Sequence, residues 1–189
     1  MTGLMRFQCE MRAEVTRGNI LEGHAAVFGQ YADLGSHYEE IAATAFQRVM
    51  KSPDDDPRAL YNHDPNMVLG RKASGTLRYS VDSEGLPFEV DLPDTSYASD
   101  LRVSMKRGDV NQCSFAFFPD LSSWHKAPDG KPLERQDEIA RLLDLSVVTY
   151  PAYAGTSVAL RAMTFTKRPE SLRSQMARAR HRNLMKGHK

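Results

Sequence analysis

The stretch VNQCSFAFF, Val110 to Phe118, is a strong strand candidate in this 189-residue chain. Successive side chains of a β-strand point to opposite faces, so Cys113 shares a face with two phenylalanines. That environment indicates a small buried residue of the core. Ser114 falls on the lighter, more polar face. If either residue is a nucleophile, the alternation favours Ser114, and a purely structural strand serine is the alternative.

Outward from this stretch, the chain alternates short strand candidates with turn residues. Strands are expected within residues 4–15, 19–31, 58–62, 68–93 and 141–151. Turns or loops are expected at residues 31–43 and 52–57, and a polar hairpin or mobile loop at 127–138.

Two helices are predicted among these strands. Residues 94–108 place apolar side chains four positions apart and end at Gly108, a typical helix stop. Residues 44–52 predict a shorter helix, with Thr44 as its N-cap and Phe46, Val49 and Met50 on one side. The pattern predicts a mainly β fold with flanking helices, either an α+β domain or a β-barrel with helical additions.

Charge is distributed unevenly along the chain. From Arg161 onward there are nine Lys/Arg and one acid, Glu170, a net charge of +8. The other 16 basic and 23 acidic residues give residues 1–160 a net charge of −7. We therefore expect one domain over residues 1–162 and a basic C-terminal arm, helical or disordered, over 163–189.

Composition argues against several classes of protein. Two cysteines, Cys9 and Cys113, do not form a disulfide framework and favour a reducing compartment. No segment has the roughly 20 apolar residues of a membrane span. No metal-binding spacing or phosphate-binding glycine loop occurs, so neither a metal nor a cofactor is expected. The basic arm lacks interleaved aromatic residues, so no specific nucleic-acid contact is expected.

A reactive serine needs a base, and His63 is the best-placed histidine for that role. It lies in ALYNHDPNMVLG, where a short apolar strand breaks. The alternative is that His63 only occupies a turn. His24 reads as a sheet histidine, whereas His37 and His125 lie near loops, and His181 and His188 lie in the basic arm.

Asp144 is the candidate for the group that orients the histidine. It interrupts the apolar stretch LLDLSVVTYPAY, and a carboxylate in such a strand costs free energy unless it is paired. Arg141 or a backbone amide is the alternative partner. Asp64 adjoins His63 too closely for a well-formed contact, and Asp137 and Glu138 are expected to be solvated.

Three stretches, in order, resemble the tailed-phage prohead maturation proteases, serine peptidases related to the herpesvirus assemblin proteases. They are ALYNHDPNMVLGR, RGDVNQCSFAF and LLDLSVVTYPAYAGTSVALR, and the likeness covers roughly residues 20–162. The resemblance implies an assemblin-like β-barrel. It also implies that Ser114 is the nucleophile and His63 the base, with Asp144 as the third member, a position that a second histidine takes in the herpesvirus proteins.

The resemblance also implies a setting. Such an endopeptidase is made in the host cytoplasm and packaged inside the immature capsid. There it cleaves scaffold or the scaffold-like part of the capsid protein, and itself. On this view the basic arm is a handle for encapsidation or scaffold binding, and the alternative is an incidental, solvated tail. Unchanged incorporation into proheads after deletion of residues 165–189 would count against the handle.

Two alternatives stay open at this point. The first is a non-catalytic capsid assembly or scaffolding protein that retains the protease fold, against which the intact set of three residues argues. The second is a cysteine hydrolase that uses Cys113, which the strand alternation disfavours.

Overall fold

The computed structural model describes the backbone of residues 5–12, 14–15 and 19–150, and the side chains of residues 19–150. The expected basic arm, the two histidines within it and the side chain of Cys9 lie outside these residues. No helix in the described part is long and apolar enough to cross a membrane.

The described chain is mainly β, as predicted, with two helices. The strands are β1 (Met5–Arg12), β2 (Glu14–Val15), β3 (Ile20–Val27), β4 (Ala32–Asp33), β5 (Tyr38–Ile41), β6 (Arg58–Tyr61), β7 (Asp64–Arg71), β8 (Leu77–Tyr79), β9 (Gly85–Asp91), β10 (Gln112–Lys126) and β11 (Pro132–Val148). The helices are α1 (Gln47–Lys51) and α2 (Ser96–Arg107).

The strands form two hydrogen-bonded sheets. One has the order β1-β10-β11-β5-β4, with β6 on β11 and β7 on β6; the other has the order β2-β3-β9-β8. β5 and β6 both pair in parallel with β11, at different parts of its length, so the larger sheet branches there. The order ends at β1 and β4, which are not paired with each other, so the described strands do not close into a barrel and the assemblin-like barrel is not confirmed.

The hairpin of β10 and β11 lies at the centre of the larger sheet. Its strands are far longer than the sequence indicated, and the polar segment 127–138 contributes a short turn followed by the start of β11. Phe115 and Phe117 are fully buried, with ring centroids 5.1 Å apart, and Phe46 packs on Phe115 at 5.6 Å. The stretch VNQCSFAFF therefore contributes to the centre of the core.

The predicted helix at residues 94–108 is confirmed as α2. Gly108 adopts a left-handed φ of 84° and its N–H donates to the Met105 carbonyl, while the next N–H donates to Ser104. This is a helix end that favours glycine. Leu101 and Met105 lie on its buried face.

Two other local predictions were wrong. α1 begins only at Gln47, after Phe46 as N-cap, and Met50 is 38% exposed instead of packing beside Val49. Residues 31–43 were expected to be a loop but include β4 and β5. Glu39 of β5 is buried and accepts a hydrogen bond from the Gln136 side chain at 3.0 Å, so a distant partner stabilises this acid-rich strand.

Candidate active site

Ser114 lies in the regular part of β10, directly opposite Ser146 of β11. Neighbouring Cys113 is opposite Val147 and belongs to the core, as the alternation of side chains indicated. Ser114 shares its face of the sheet with Asp144 and Ser146, which agrees with the more polar face that the alternation indicated. This face is covered as well, and Ser114 is fully buried.

His63 occupies a tight turn between β6 and β7. Asn62 and His63 are the two loop residues of this hairpin, with φ of 54° and 57°. Two-residue hairpin loops with positive φ at both positions are typical of type I′ turns, and Asn and His tolerate this conformation better than most residues. This turn is where the short apolar strand breaks, and Asp64 and Pro65 already belong to β7.

Asn62 fastens this turn to the end of β11. Its backbone N–H donates to the Val147 carbonyl at 2.8 Å. Its side-chain oxygen accepts the Thr149 N–H at 2.8 Å, and its side-chain nitrogen donates to the Thr149 hydroxyl at 3.2 Å. These bonds fix the position of the His63 backbone relative to β11.

Asp144 lies on β11 opposite Ala116, on the same face of the sheet as Ser114. Its Oδ1 accepts hydrogen bonds from two groups: Nδ1 of His63 at 2.6 Å and the Ser146 hydroxyl at 2.5 Å. The alternative partner Arg141 takes no part in these two contacts. The prediction that Asp144 is a paired carboxylate within an apolar strand is thus confirmed.

The second ring nitrogen of His63 completes a continuous chain of hydrogen bonds. Nε2 lies 2.8 Å from the Ser114 hydroxyl, and the side chains of His63 and Asp144 are only 7% and 10% exposed. When Asp144 is ionised, its oxygen can only accept, so Nδ1 carries the ring proton. Nε2 is then the lone-pair nitrogen, which can take a proton from Ser114.

The remaining candidate residues lie elsewhere. Asp64 accepts hydrogen bonds from Asn66 at 2.8 and 2.9 Å and is not part of this chain. His24 lies 3.8 Å from Asp82, and the His125 ring is bonded to Ser123 at 2.9 Å. Within residues 19–150, no group of three or more His, Cys, Asp or Glu could hold a metal ion.

Sequence reasoning missed Ser146, although a signal for it existed. In a strand, a residue two positions after Asp144 lies on the same face. Once Asp144 was chosen, the same alternation would have placed the serine of LLDLSVV beside the carboxylate. Its hydroxyl is fully buried and satisfies part of the acceptor capacity of Asp144.

A groove of about 450 Å³ occurs on the smaller sheet, away from these residues. Its lining comes from β3, β8, β9 and adjoining residues, and none of Ser114, His63 or Asp144 contributes to it.

A family model for the caudovirus prohead serine proteases matches residues 7–170 of the chain. This range contains all three residues of the hydrogen-bonded chain. No match was found to an individual curated protein or to a solved structure.

Proposed function

Because the chain belongs to the caudovirus prohead serine protease family, we propose that it is a serine endopeptidase in which Ser114, His63 and Asp144 perform the chemistry. Membership of this family implies a phage maturation protease in general. The more specific proposal is cleavage of scaffold, or of the scaffold-like part of the capsid protein, inside the immature capsid in the host cell. Self-cleavage and self-association are further parts of the proposal.

One observation supports this assignment above the others: the unbroken chain of two short hydrogen bonds from Ser114 through His63 to Asp144. Hydrogen-bond contact between nucleophile and base, with the base oriented by a third group, is the arrangement that activates a serine. These three side chains are largely shielded from water, which strengthens the electrostatic interactions between them.

In the proposed mechanism each of these groups has a defined step. As the Ser114 oxygen attacks the scissile carbonyl carbon, its proton passes to Nε2 of His63. Asp144 stabilises the imidazolium that forms. The C–N bond then breaks, His63 donates the proton to the leaving amine, and an acyl-enzyme remains on Ser114. A water molecule, deprotonated by His63, hydrolyses that ester and regenerates the serine. General acid–base assistance of this kind typically supplies about 10²–10⁴-fold in rate.

Intact-mass analysis over time tests the proposal. The wild type, Ser114→Ala and Cys113→Ala are each incubated alone and with capsid protein. We expect the wild type and Cys113→Ala to cleave and Ser114→Ala to be inactive. Masses from the protease alone report self-cleavage separately from cleavage of capsid protein.

The other outcomes identify the alternatives. Loss of activity in Cys113→Ala alone would make the cysteine the nucleophile. If none of the three proteins cleaves, even within assembled proheads, the chain is a non-catalytic assembly protein that retains the protease fold.

A further inference from the structure

The register of β10 and β11 is interrupted just before Asp144. Ala116 pairs with Asp144, but Phe117 pairs with Leu142, so Leu143 has no partner on β10. An extra residue on one strand of an antiparallel pair is a β-bulge, a feature that is common beside active sites. We call it the Leu143 bulge.

The Leu143 bulge determines which side chains reach the site. In a regular strand Leu142 and Asp144 would lie on the same face. Here Leu142 lies opposite Phe117 and is buried in the core, while Asp144 lies opposite Ala116 on the Ser114 face. The bulge therefore allows a core leucine and the site carboxylate to lie two residues apart on one strand.

The backbone N–H of Leu142 donates its hydrogen bond to a side chain instead of to a backbone carbonyl of a neighbouring strand. β6 pairs with β11 from Arg58, which lies opposite Asp144, through Tyr61. Beyond this pairing, the Leu142 N–H donates to Oδ1 of Asp55 at 3.1 Å. Asp55 thus provides an acceptor just upstream of β6, where the ladder with β11 begins.

Asp55 is held firmly in this position. The residue is only 4% exposed. Its main-chain carbonyl accepts a hydrogen bond from Lys72 at 2.7 Å, and the Tyr79 hydroxyl lies 3.4 Å from its Oδ2. Burial raises the pKa of Asp55, although the Leu142 N–H and the Lys72 charge act in the opposite direction.

The acidic segment SPDDDP, residues 52–57, was expected to be a turn or loop, and its three aspartates differ in their surroundings. Asp54 is exposed and Asp55 is buried. Asp56 forms an ion pair with Arg71 at 2.6 Å. Only Asp55 contacts β11 through the Leu142 N–H, so Asp54 is a matched control for a charge in the same loop.

We propose that Asp55 is a positioning residue for the peptidase reaction: it holds the Leu143 bulge and thereby keeps Asp144 aligned with His63. This inference rests on the proposed function of Ser114, His63 and Asp144. Asp55 touches none of the reacting atoms and acts through the Leu142 amide. An asparagine would retain an oxygen acceptor at the same place, whereas an alanine would leave the buried N–H unpaired.

The test compares Asp55→Ala, Asp55→Asn and Asp54→Ala in the full chain. A fluorophosphonate probe reports the rate at which Ser114 is modified, capsid protein gives kcat and KM, and hydrogen exchange follows the Leu142 amide.

We expect Asp55→Ala to lower the modification rate and kcat by about 10- to 100-fold, because a small misplacement has effects of this order. KM should change little and the Leu142 amide should exchange faster. Asp55→Asn should restore most of the rate, and Asp54→Ala should match the wild type.

Each other result overturns a defined part of the argument. If the wild type neither reacts with the probe nor cleaves, the proposed function fails first. If the wild type is active and Asp55→Ala equals it, Asp55 does not position the site. Equal losses in Asp55→Ala and Asp55→Asn would exclude the hydrogen-bond role. Failure of both variants to fold would assign Asp55 to folding alone, which also overturns the proposal.

Discussion

Replacement of Asp144 by asparagine separates the charge of this residue from its geometry. A single oxygen, Oδ1, lies 2.6 Å from His63 Nδ1 and 2.5 Å from the Ser146 hydroxyl. An asparagine can place its own Oδ1 there and accept from both donors. The orientation of the imidazole is then retained, and the negative charge is lost.

The cost of losing that charge follows from the geometry. When His63 takes the Ser114 proton, a positive imidazolium forms with its charge about 4 Å from the carboxylate. At an effective dielectric constant of about 20, the attraction is about 4 kcal/mol. Both side chains are at least nine-tenths buried, so solvent screens the pair weakly. Since about 1.4 kcal/mol corresponds to a factor of ten in rate, Asp144→Asn should slow the reaction about 10³-fold.

The rate of fluorophosphonate modification of Ser114 and the kcat for capsid protein measure this effect, with KM expected to stay near the wild-type value. Ser146→Ala is the matched control, since it keeps the charge and removes one donor to Asp144. A hydrogen bond to a charged group contributes about 1.5–3 kcal/mol, so Ser146→Ala should slow the reaction less than Asp144→Asn does, by about 10- to 100-fold. Asp144→Ala should be worse than Asp144→Asn, because orientation is lost as well.

An Asp144→Asn enzyme within tenfold of the wild type would refute the electrostatic reasoning. Equal rates for Asp144→Asn and Asp144→Ala would refute the claim that Oδ1 orients the ring.

Two further predictions concern the supports of the site. Asn62→Ala should destabilise the fold more than Asn62→Gly by about 1–2 kcal/mol, because both variants lose the Thr149 contacts but only alanine is strained at a φ of 54°. Urea unfolding measures this difference. A glycine variant no more stable than the alanine variant would contradict the prediction. The raised pKa of Asp55 means that the folded state binds its proton more tightly than the unfolded state, so this group contributes less stability as pH rises from the ordinary aspartate range through the raised value. The stability of Asp55→Asn relative to the wild type should therefore increase with pH over that window, and an unchanged or falling difference in urea unfolding would contradict the assigned pKa direction.

Sequence patterns within an element predicted those elements that are stabilised by residues near them in sequence. The helix at residues 94–108 was readable because Gly108 and the apolar spacing both lie within it. β5 was not readable, since its Glu39 is buried against Gln136, 97 residues away in sequence. The same limit hid Asp55, whose partner Leu142 is 87 residues away. A buried acid with a distant partner has the same local pattern as an exposed one.

The sequence predicted the three residues that the structure brings into hydrogen-bond contact, but not the residues that support them. Alternation along VNQCSFAFF distinguished Ser114 from Cys113, and the cost of an unpaired carboxylate singled out Asp144. The resemblance to the prohead proteases joined these residues to His63. Alternation could not locate the Leu143 bulge, because a bulge is a break in that same period.

The arrangement of the three residues implies a division between regular and irregular backbone. Ser114 lies on an unbroken ladder, where the register with Ser146 fixes its position. His63 sits in a left-handed turn, 51 residues from Ser114 in sequence, and Asp144 follows a bulge. Regular pairing thus holds Ser114, the proposed nucleophile, while two local irregularities bring His63 and Asp144 into hydrogen-bond contact with it and with each other. Substitutions that relax the turn or the bulge should therefore reduce turnover. They should cost less stability than substitutions of the core residues on β10 and β11.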